Sequence, residues 1–219
     1  MQRFRAWIAN YPLLYITLFT VIYFVWFMAL EKFREPVLIV HSQLDDMIPF
    51  CQYFVIPYLL WFLYIFGTFL FFLFTSKEDL ANVSRYMFTG MIACLVIYTI
   101  LPTGLHLRPA VTGDDICSML TTLVYSNDTS TNVCPSIHVF NSLAVTIVIN
   151  RSRVIRHKRI VKIATWTLAI LICMSTVMLK QHSVIDVFWG SAMALILLPL
   201  ASTPASVPAG ESLAARRTA

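Results

Sequence analysis

The segment FVIPYLLWFLYIFGTFLFFLFT, residues 54–75, runs for 22 residues without one charged side chain. About 20 apolar residues are what an α-helix needs to cross the hydrocarbon of a bilayer. There every backbone N–H and C=O must find its partner inside the chain, so a helix is the natural form for such a run. Comparable runs cover residues 12–30, 83–101, 138–150, 162–178 and 183–200. The expectation is therefore an all-α, polytopic membrane protein: six transmembrane helices in one bundle over residues 1–200. The composition agrees, with 58% hydrophobic and 12% charged residues, against about 25% charged in a soluble domain. Too little polar sequence lies between the runs to build a soluble core of similar size. The fourth run, 138–150, is short for a full crossing. It either starts inside the preceding loop or ends below the lipid surface. The first run follows Arg3 and Arg5 and lacks a small-residue cleavage site, so it reads as a retained anchor.

The charges orient the bundle. With a cytoplasmic N-terminus, the inner segments hold Arg3, Arg5, Lys77, Arg85, Arg151, Arg153, Arg156, Lys158, Arg159, Lys162, Arg216 and Arg217. The outer segments hold Lys32, Arg34, Arg108 and Lys180, so the count is twelve against four. That is the asymmetry of the positive-inside rule. It places both termini in the cytoplasm, and a plasma-membrane location follows as the expectation. The cluster RSRVIRHKR (151–159) is then an inner loop facing anionic lipid, and nucleic acid is not expected as a partner. Residues 201–219 are rich in Ala, Ser and Pro and read as a disordered cytoplasmic tail.

Of the five cysteines, Cys94 and Cys173 fall in apolar runs and read as packing residues. Cys117 and Cys134 share an outer loop, where an oxidising environment permits a disulfide, though sequence cannot supply the geometry. Adjacent acids Asp45–Asp46 and Asp114–Asp115 read as solvated turn residues, with cation binding the alternative.

Three distant segments converge on the outer side: LPTGLHLRP (101–109), CPSIH (134–138) and KQHSVID (180–186). Together they carry Arg108, Ser136, His138, Lys180, His182 and Asp186. Ionisable groups at the membrane boundary are costly and mark function. His182 and Asp186 are four apart, so on a helix they share a face. The carboxylate then fixes the tautomer of His182 and leaves its other nitrogen free as a nucleophile. Pro135 suits a first helical turn, whose unpaired amides at Ser136, Ile137 and His138 attract an anion. Arg108 can grip an anionic oxygen in bidentate fashion. These parts suit phosphoryl transfer through a phosphohistidine, with one imidazole attacking phosphorus and the other protonating the leaving alkoxide.

The ordered set resembles the type-2 phosphatidic acid phosphatase superfamily. Its pattern is Lys-x6-Arg-Pro, then Pro-Ser-Gly-His, then Ser-Arg-x5-His-x3-Asp. The matches are Arg108–Pro109, Pro135–Ser136–Ile137–His138, and Ser175 with His182 and Asp186. The resemblance implies a metal-independent, cofactor-free enzyme with its site on the extracytoplasmic side. In it His182 is the nucleophile, Asp186 its orienting partner and His138 the general acid, while Arg108 and Ser136 hold the phosphate. Three positions depart from the pattern: Leu101 for the first Lys, Ile137 for Gly and Thr176 for the second Arg. Two phosphate-binding cations are thus missing, and Lys180 is the nearest candidate to supply part of that charge. The reduced set is similar to the branch of inositolphosphotransferases and sphingolipid synthases. Three readings stay open on the sequence. One is hydrolysis of a membrane lipid phosphate, and another is transfer of a phospho-head group to an alcohol or lipid acceptor. The third is lipid-phosphate binding or transport without chemistry. A two-histidine, one-carboxylate metal site built on His138, His182 and Asp186 ranks below these, because Arg108 beside it favours an anion.

Overall fold

The computed structural model describes residues 11–202. Arg3, Arg5, Arg216, Arg217 and residues 203–219 of the expected tail lie outside the described residues. The helices are α1 (Pro12–Phe33), α2 (Gln43–Met47), α3 (Val55–Thr75), α4 (Lys77–Ile100), α5 (Ile116–Asn127), α6 (Ile137–Arg151), α7 (Arg159–Met178) and α8 (Val184–Ile196). Among the described residues, α1, α3 (with the 3-10 turn before it), α4 and α7 are long and apolar enough to cross a membrane. Helices α6 and α8 are apolar but shorter. With 15 residues, α6 is about 22 Å long, against roughly 30 Å of hydrocarbon. The loop expected between the third and fourth runs contains an unforeseen helix, α5. Its N-cap is Asp115, whose carboxylate accepts from the Cys117 and Ser118 amides. Asp115 is exposed, as expected of a solvated loop acid, and in addition caps this helix.

Helix α6 lies at the centre, packed by α3, α4, α7 and α8. Ten of its fifteen residues are buried, spread around its circumference, the pattern of a helix enclosed by neighbours on most sides. Small polar side chains on it bridge to neighbours: Tyr64 Oη meets Thr146 Oγ1 at 2.7 Å, and Asn150 Nδ2 donates to Thr165 Oγ1 at 3.1 Å. Such hydrogen bonds join helices where no hydrophobic drive separates lipid from protein. By contrast α1 buries only Leu30 and exposes Leu18, Val21, Ile22 and Val25. An exposed apolar face of that kind suits contact with lipid tails.

One end of the bundle is closed by polar loops. Leu38–Ile39 (β1) pairs in parallel with Thr103–Gly104 (β2), with Leu38 opposite Thr103 and Ile39 opposite Gly104. The Thr103 hydroxyl accepts from the amides of Val133 and Cys134 at 3.1 and 3.0 Å. Glu31, near the end of α1, accepts from Thr131 and Asn132 at 2.8 and 2.9 Å. The segment that leads into α6 is thereby anchored from two sides.

Asp45 is buried, at 2% exposure, and is not the solvated turn residue its sequence setting implies. Its carboxylate accepts from Ser42 N (2.8 Å), Ser183 Oγ (2.7 Å) and Val184 N (2.8 Å). It therefore clips the first polar loop onto the start of α8. Asp46 is exposed and faces His41 at 3.0 Å.

Two glycines allow close helix approach. A Cβ on Gly90 would sit 2.0 Å from the Phe140 ring, and one on Gly190 would sit 2.7 Å from Ser136 O. The obstacle at Gly190 is backbone and cannot rotate away. Gly190→Ala is expected to push α8 off the start of α6 and to cost about 1–3 kcal/mol. A lowered thermal midpoint in detergent checks it.

Candidate active site

Helices α6 and α8 begin beside each other, and the junction is a set of shared hydrogen bonds. Ser136 caps α6, its hydroxyl accepting from Val139 N at 3.4 Å. Ser183 caps α8 in a capping box, in which the Asp186 side chain returns to the Ser183 amide at 2.9 Å. The Ser136 amide donates to the backbone carbonyl of Asp186 at 3.1 Å. The Ser136 N–H is therefore committed to the fold and unavailable to an anion. Helix geometry leaves the first-turn amides of Ile137 and His138 without intrahelical acceptors. Pro135 stands outside the helix, before the cap, and its bond to Cys134 is cis.

His182 also lies outside its helix, two residues before Val184. It still meets Asp186, with Nδ1 3.3 Å from Oδ2. The contact arises from the capping box, which turns the carboxylate back toward the chain entering the helix, and not from a shared helical face. The turn between α7 and α8 sets the ring's position. Gln181 and His182 both donate their amides to Thr176 O, and Lys180 adopts a left-handed φ of 54°.

His138, in the first turn of α6, packs against three rings: Trp61 at 4.5 Å, Tyr58 at 4.8 Å and His182 at 5.6 Å between centroids. The two imidazoles are thus close enough to touch one phosphate group. Both line a cavity of about 710 Å³. Its polar end includes Asp128, Asn132, Asn141 and Gln181; its long apolar walls come from α1, α3 and α4, including Phe19, Phe66, Phe69 and Phe88.

The other expected phosphate ligands are placed differently. The terminal nitrogens of Arg108 donate to the carbonyls of Tyr125 (3.3 Å), Asp128 (2.7 Å) and Thr129 (3.0 Å) and to Gln181 Oε1. Its plane lies over the Tyr125 ring, 4.7 Å from the centroid. The guanidinium fastens the end of α5 to the turn carrying His182, so a bidentate grip on an anion would require it to leave these carbonyls. Its Nε and the neighbouring Gln181 Nε2 are buried N–H donors without a hydrogen-bond partner among the described residues. The Lys180 ammonium donates to the carbonyls of Asp45 and Ile48, away from the imidazoles. Its long side chain is spent on the first polar loop.

Sequence reasoning missed Asp128, Gln181, Trp61, Tyr58 and Asn141. Asp128 accepts from Tyr58 Oη at 2.7 Å. Burial raises its carboxyl above the usual range; the Tyr58 hydrogen bond and the His182 and Arg108 charges oppose that rise. Gln181 adjoins His182, and Asn141 lies three residues beyond His138. That adjacency was the available signal, but amides and aromatics are too common in such helices to stand out.

All five cysteines are free thiols. Cys117 packs with Val55, Tyr58 and Leu179, whereas Cys134 packs with Val40, Leu105 and Val133. Separate apolar clusters keep the two apart, so the permitted disulfide does not form. Burial, and after it the Asp186 carboxylate, push the Cys134 thiol up to about 12.

The fold and site define an integral membrane protein with a paired-imidazole, carboxylate-backed centre at the polar end of an apolar cavity. Residues 83–204 match the model of the PAP2 superfamily, and the chain belongs to it. The match runs from within α4 to beyond the end of α8 and includes His138, His182 and Asp186. Members of this superfamily are generally phosphatases or phosphotransferases. No curated protein and no solved structure matches the chain.

Two outcomes follow from this geometry. Arg108→Lys replaces a planar fork by one nitrogen and strands carbonyl oxygens, so it is expected to cost about 2 kcal/mol of stability as well as activity. Thermal melts beside rate measurements test this. Alkylation followed by mass spectrometry is expected to find the same number of free thiols in unreduced and reduced protein.

Proposed function

We propose that this chain is an integral membrane phosphoesterase that acts on a lipid phosphate through a phosphohistidine, without a metal. The observation that carries the reading is the pair of imidazoles 5.6 Å apart, one backed by a carboxylate, at the head of a lipid-sized apolar cavity.

His182 donates its Nδ1–H to Asp186, which leaves the Nε2 lone pair to attack phosphorus. As the N–P bond forms, the bond to the leaving oxygen breaks, and protonated His138 delivers its proton to that alkoxide. Neutral His138 then takes a proton from the incoming water or alcohol, whose oxygen displaces His182 from phosphorus. The first-turn amides of α6, with Gln181 Nε2 and Arg108 Nε, are the donors that meet the equatorial oxygens. Trp61 and Tyr58 hold the His138 ring and keep bulk water from it.

Water as the second nucleophile makes the chain a lipid phosphatase; an alcohol makes it a phospho-head-group transferase. The shortage of uncommitted cations favours the transferase for substrates that carry a single negative charge. Arg108 and Lys180 are both engaged with carbonyls, and Leu101 and Thr176 replace two cations of the family pattern. The bundle crosses the membrane six times in this reading, with α6 and α8 as short crossings. Both termini face the cytoplasm, and the site opens on the extracytoplasmic side of the plasma membrane. The twelve-to-four charge asymmetry supports that orientation.

His182→Ala is expected to abolish turnover, by at least about 1,000-fold, with thermal stability near that of the wild type. Asp186→Asn is expected to lower kcat more than it changes KM. Vanadate is expected to inhibit and EDTA to leave the rate unchanged; loss of activity on chelation would replace this mechanism with a metal-dependent one. Incubation with mixed lipids and inositol separates the two routes, since a phosphatase releases free phosphate and a transferase forms a new phosphodiester lipid.

A further inference from the structure

A second carboxylate stands at the cavity beside the one that the mechanism uses. Asp128 caps the C-terminus of α5, and it is half-buried in the wall of the cavity that both imidazoles line. Its placement is fixed from several sides. The Asp128 amide donates to Val124 O at 2.9 Å, and its carbonyl accepts from Arg108 Nη1 at 2.7 Å. Arg108 also donates to Gln181, the neighbour of His182. The carboxylate Oδ2 accepts from Tyr58 Oη at 2.7 Å, and the Tyr58 ring packs on His138 with 4.8 Å between centroids. Asp128 is thus tied toward both imidazoles. The Tyr58 hydrogen bond and the His182 and Arg108 charges favour its ionised form against burial.

One carboxylate oxygen is left over, since no described residue donates to Asp128 Oδ1. An ionised carboxylate can only accept hydrogen bonds, and an enclosed acceptor calls for a donor. The oxygens of a bound phosphate are anionic, so they repel it. The reactant that brings an O–H is the second nucleophile. Water carries two hydrogens. As its oxygen bonds to phosphorus, the N–P bond breaks and its electron pair returns to His182 Nε2. One hydrogen passes to His138 as a proton, and the other stays on oxygen, free to donate to Asp128. An alcohol has one hydroxyl hydrogen, which His138 takes, and it turns carbon toward the carboxylate.

We propose that Asp128 is a specificity-determining residue for the second nucleophile: its Oδ1 holds the water that resolves the phosphohistidine and disfavours an alcohol in the same place. The inference rests on the phosphohistidine reading and deepens it by naming the group that selects the acceptor. Asp128 acts on the incoming molecule, whereas the missing cations act on the bound phosphate. A site built to bond a hydrogen of one reactant discriminates against the analogue that lacks it.

The product ratio tests this. Purified full chain is given phosphorus-32-labelled dioleoyl phosphatidate in mixed micelles at a fixed methanol concentration, and methyl phosphate and inorganic phosphate are separated and counted. Asp128→Asn keeps an oxygen for Tyr58 and puts an N–H donor where Oδ1 stood. It is expected to raise the ratio of methyl phosphate to phosphate about tenfold or more. Tyr58→Phe keeps a ring on His138 but releases the carboxylate, and it is expected to raise the ratio by less. A general loss of activity through misplaced helices would lower both products together and leave the ratio where it was. A ratio at or below the wild-type value in Asp128→Asn, or in Tyr58→Phe where the first variant does not fold, would overturn the assignment while the phosphoesterase reading stands. Formation of neither product by the wild type would sink that reading, and this inference with it.

Discussion

One residue joins the two parts of this protein that have to coincide. The Asp186 carboxylate accepts the Ser183 amide at 2.9 Å and lies 3.3 Å from the His182 ring. Its backbone carbonyl accepts the Ser136 amide at 3.1 Å. The first contact starts α8, the second orients the imidazole, and the third seats the start of α6 beside α8. His138 follows Ser136 by two residues, so its position depends on that third bond. Gly190 lets the helices approach closely enough for the bond to form. The geometry of the site and the packing of the helices thus cannot be varied separately.

A second constraint is charge. Chains that must place cations near a membrane interior pay for burial unless the charge meets an acceptor. Here Arg108 and Lys180 meet carbonyl oxygens, and both serve to hold loops against the helix ends. The donors left uncommitted among the described residues are first-turn amides, the Gln181 side-chain amide and one N–H of the charged Arg108 guanidinium. The amides among them would meet an anion as preorganised dipoles and the guanidinium as a charge. They suit a phosphoester of low charge, which matches the absence of two cations from the family pattern.

The apolar cavity depends on how α1 is attached. This helix packs mainly on α4 and leaves a trough between itself and α3. Aromatic side chains from all three helices line it, and its polar end is closed by the loop segment 128–133, which Glu31 ties to α1. The same helix that exposes an apolar face also bounds the space leading to the imidazoles. In the proposed function, this trough would keep the chains of a lipid phosphate in apolar surroundings beside the two histidines.

Much of this was legible in the chain itself. The all-α membrane character and the helical runs followed from uninterrupted apolar stretches, because a bilayer leaves a backbone few alternatives. The pair His182–Asp186 and the nearness of His138 were readable from ordered motifs whose spacing recurs across a family. Local sequence could not say which side chains would be used up by the fold. Arg108 and Lys180 look like phosphate ligands until residues far away in sequence, Asp45, Ile48 and Asp128, present carbonyls to them. Asp45 looks solvated until Ser183 and Val184 arrive from 138 and 139 residues away. The helix α5 and the separation of Cys117 from Cys134 were likewise settled only by packing. Whether a polar group is free or spent is a property of its neighbours in space, and only the tertiary structure supplies those neighbours.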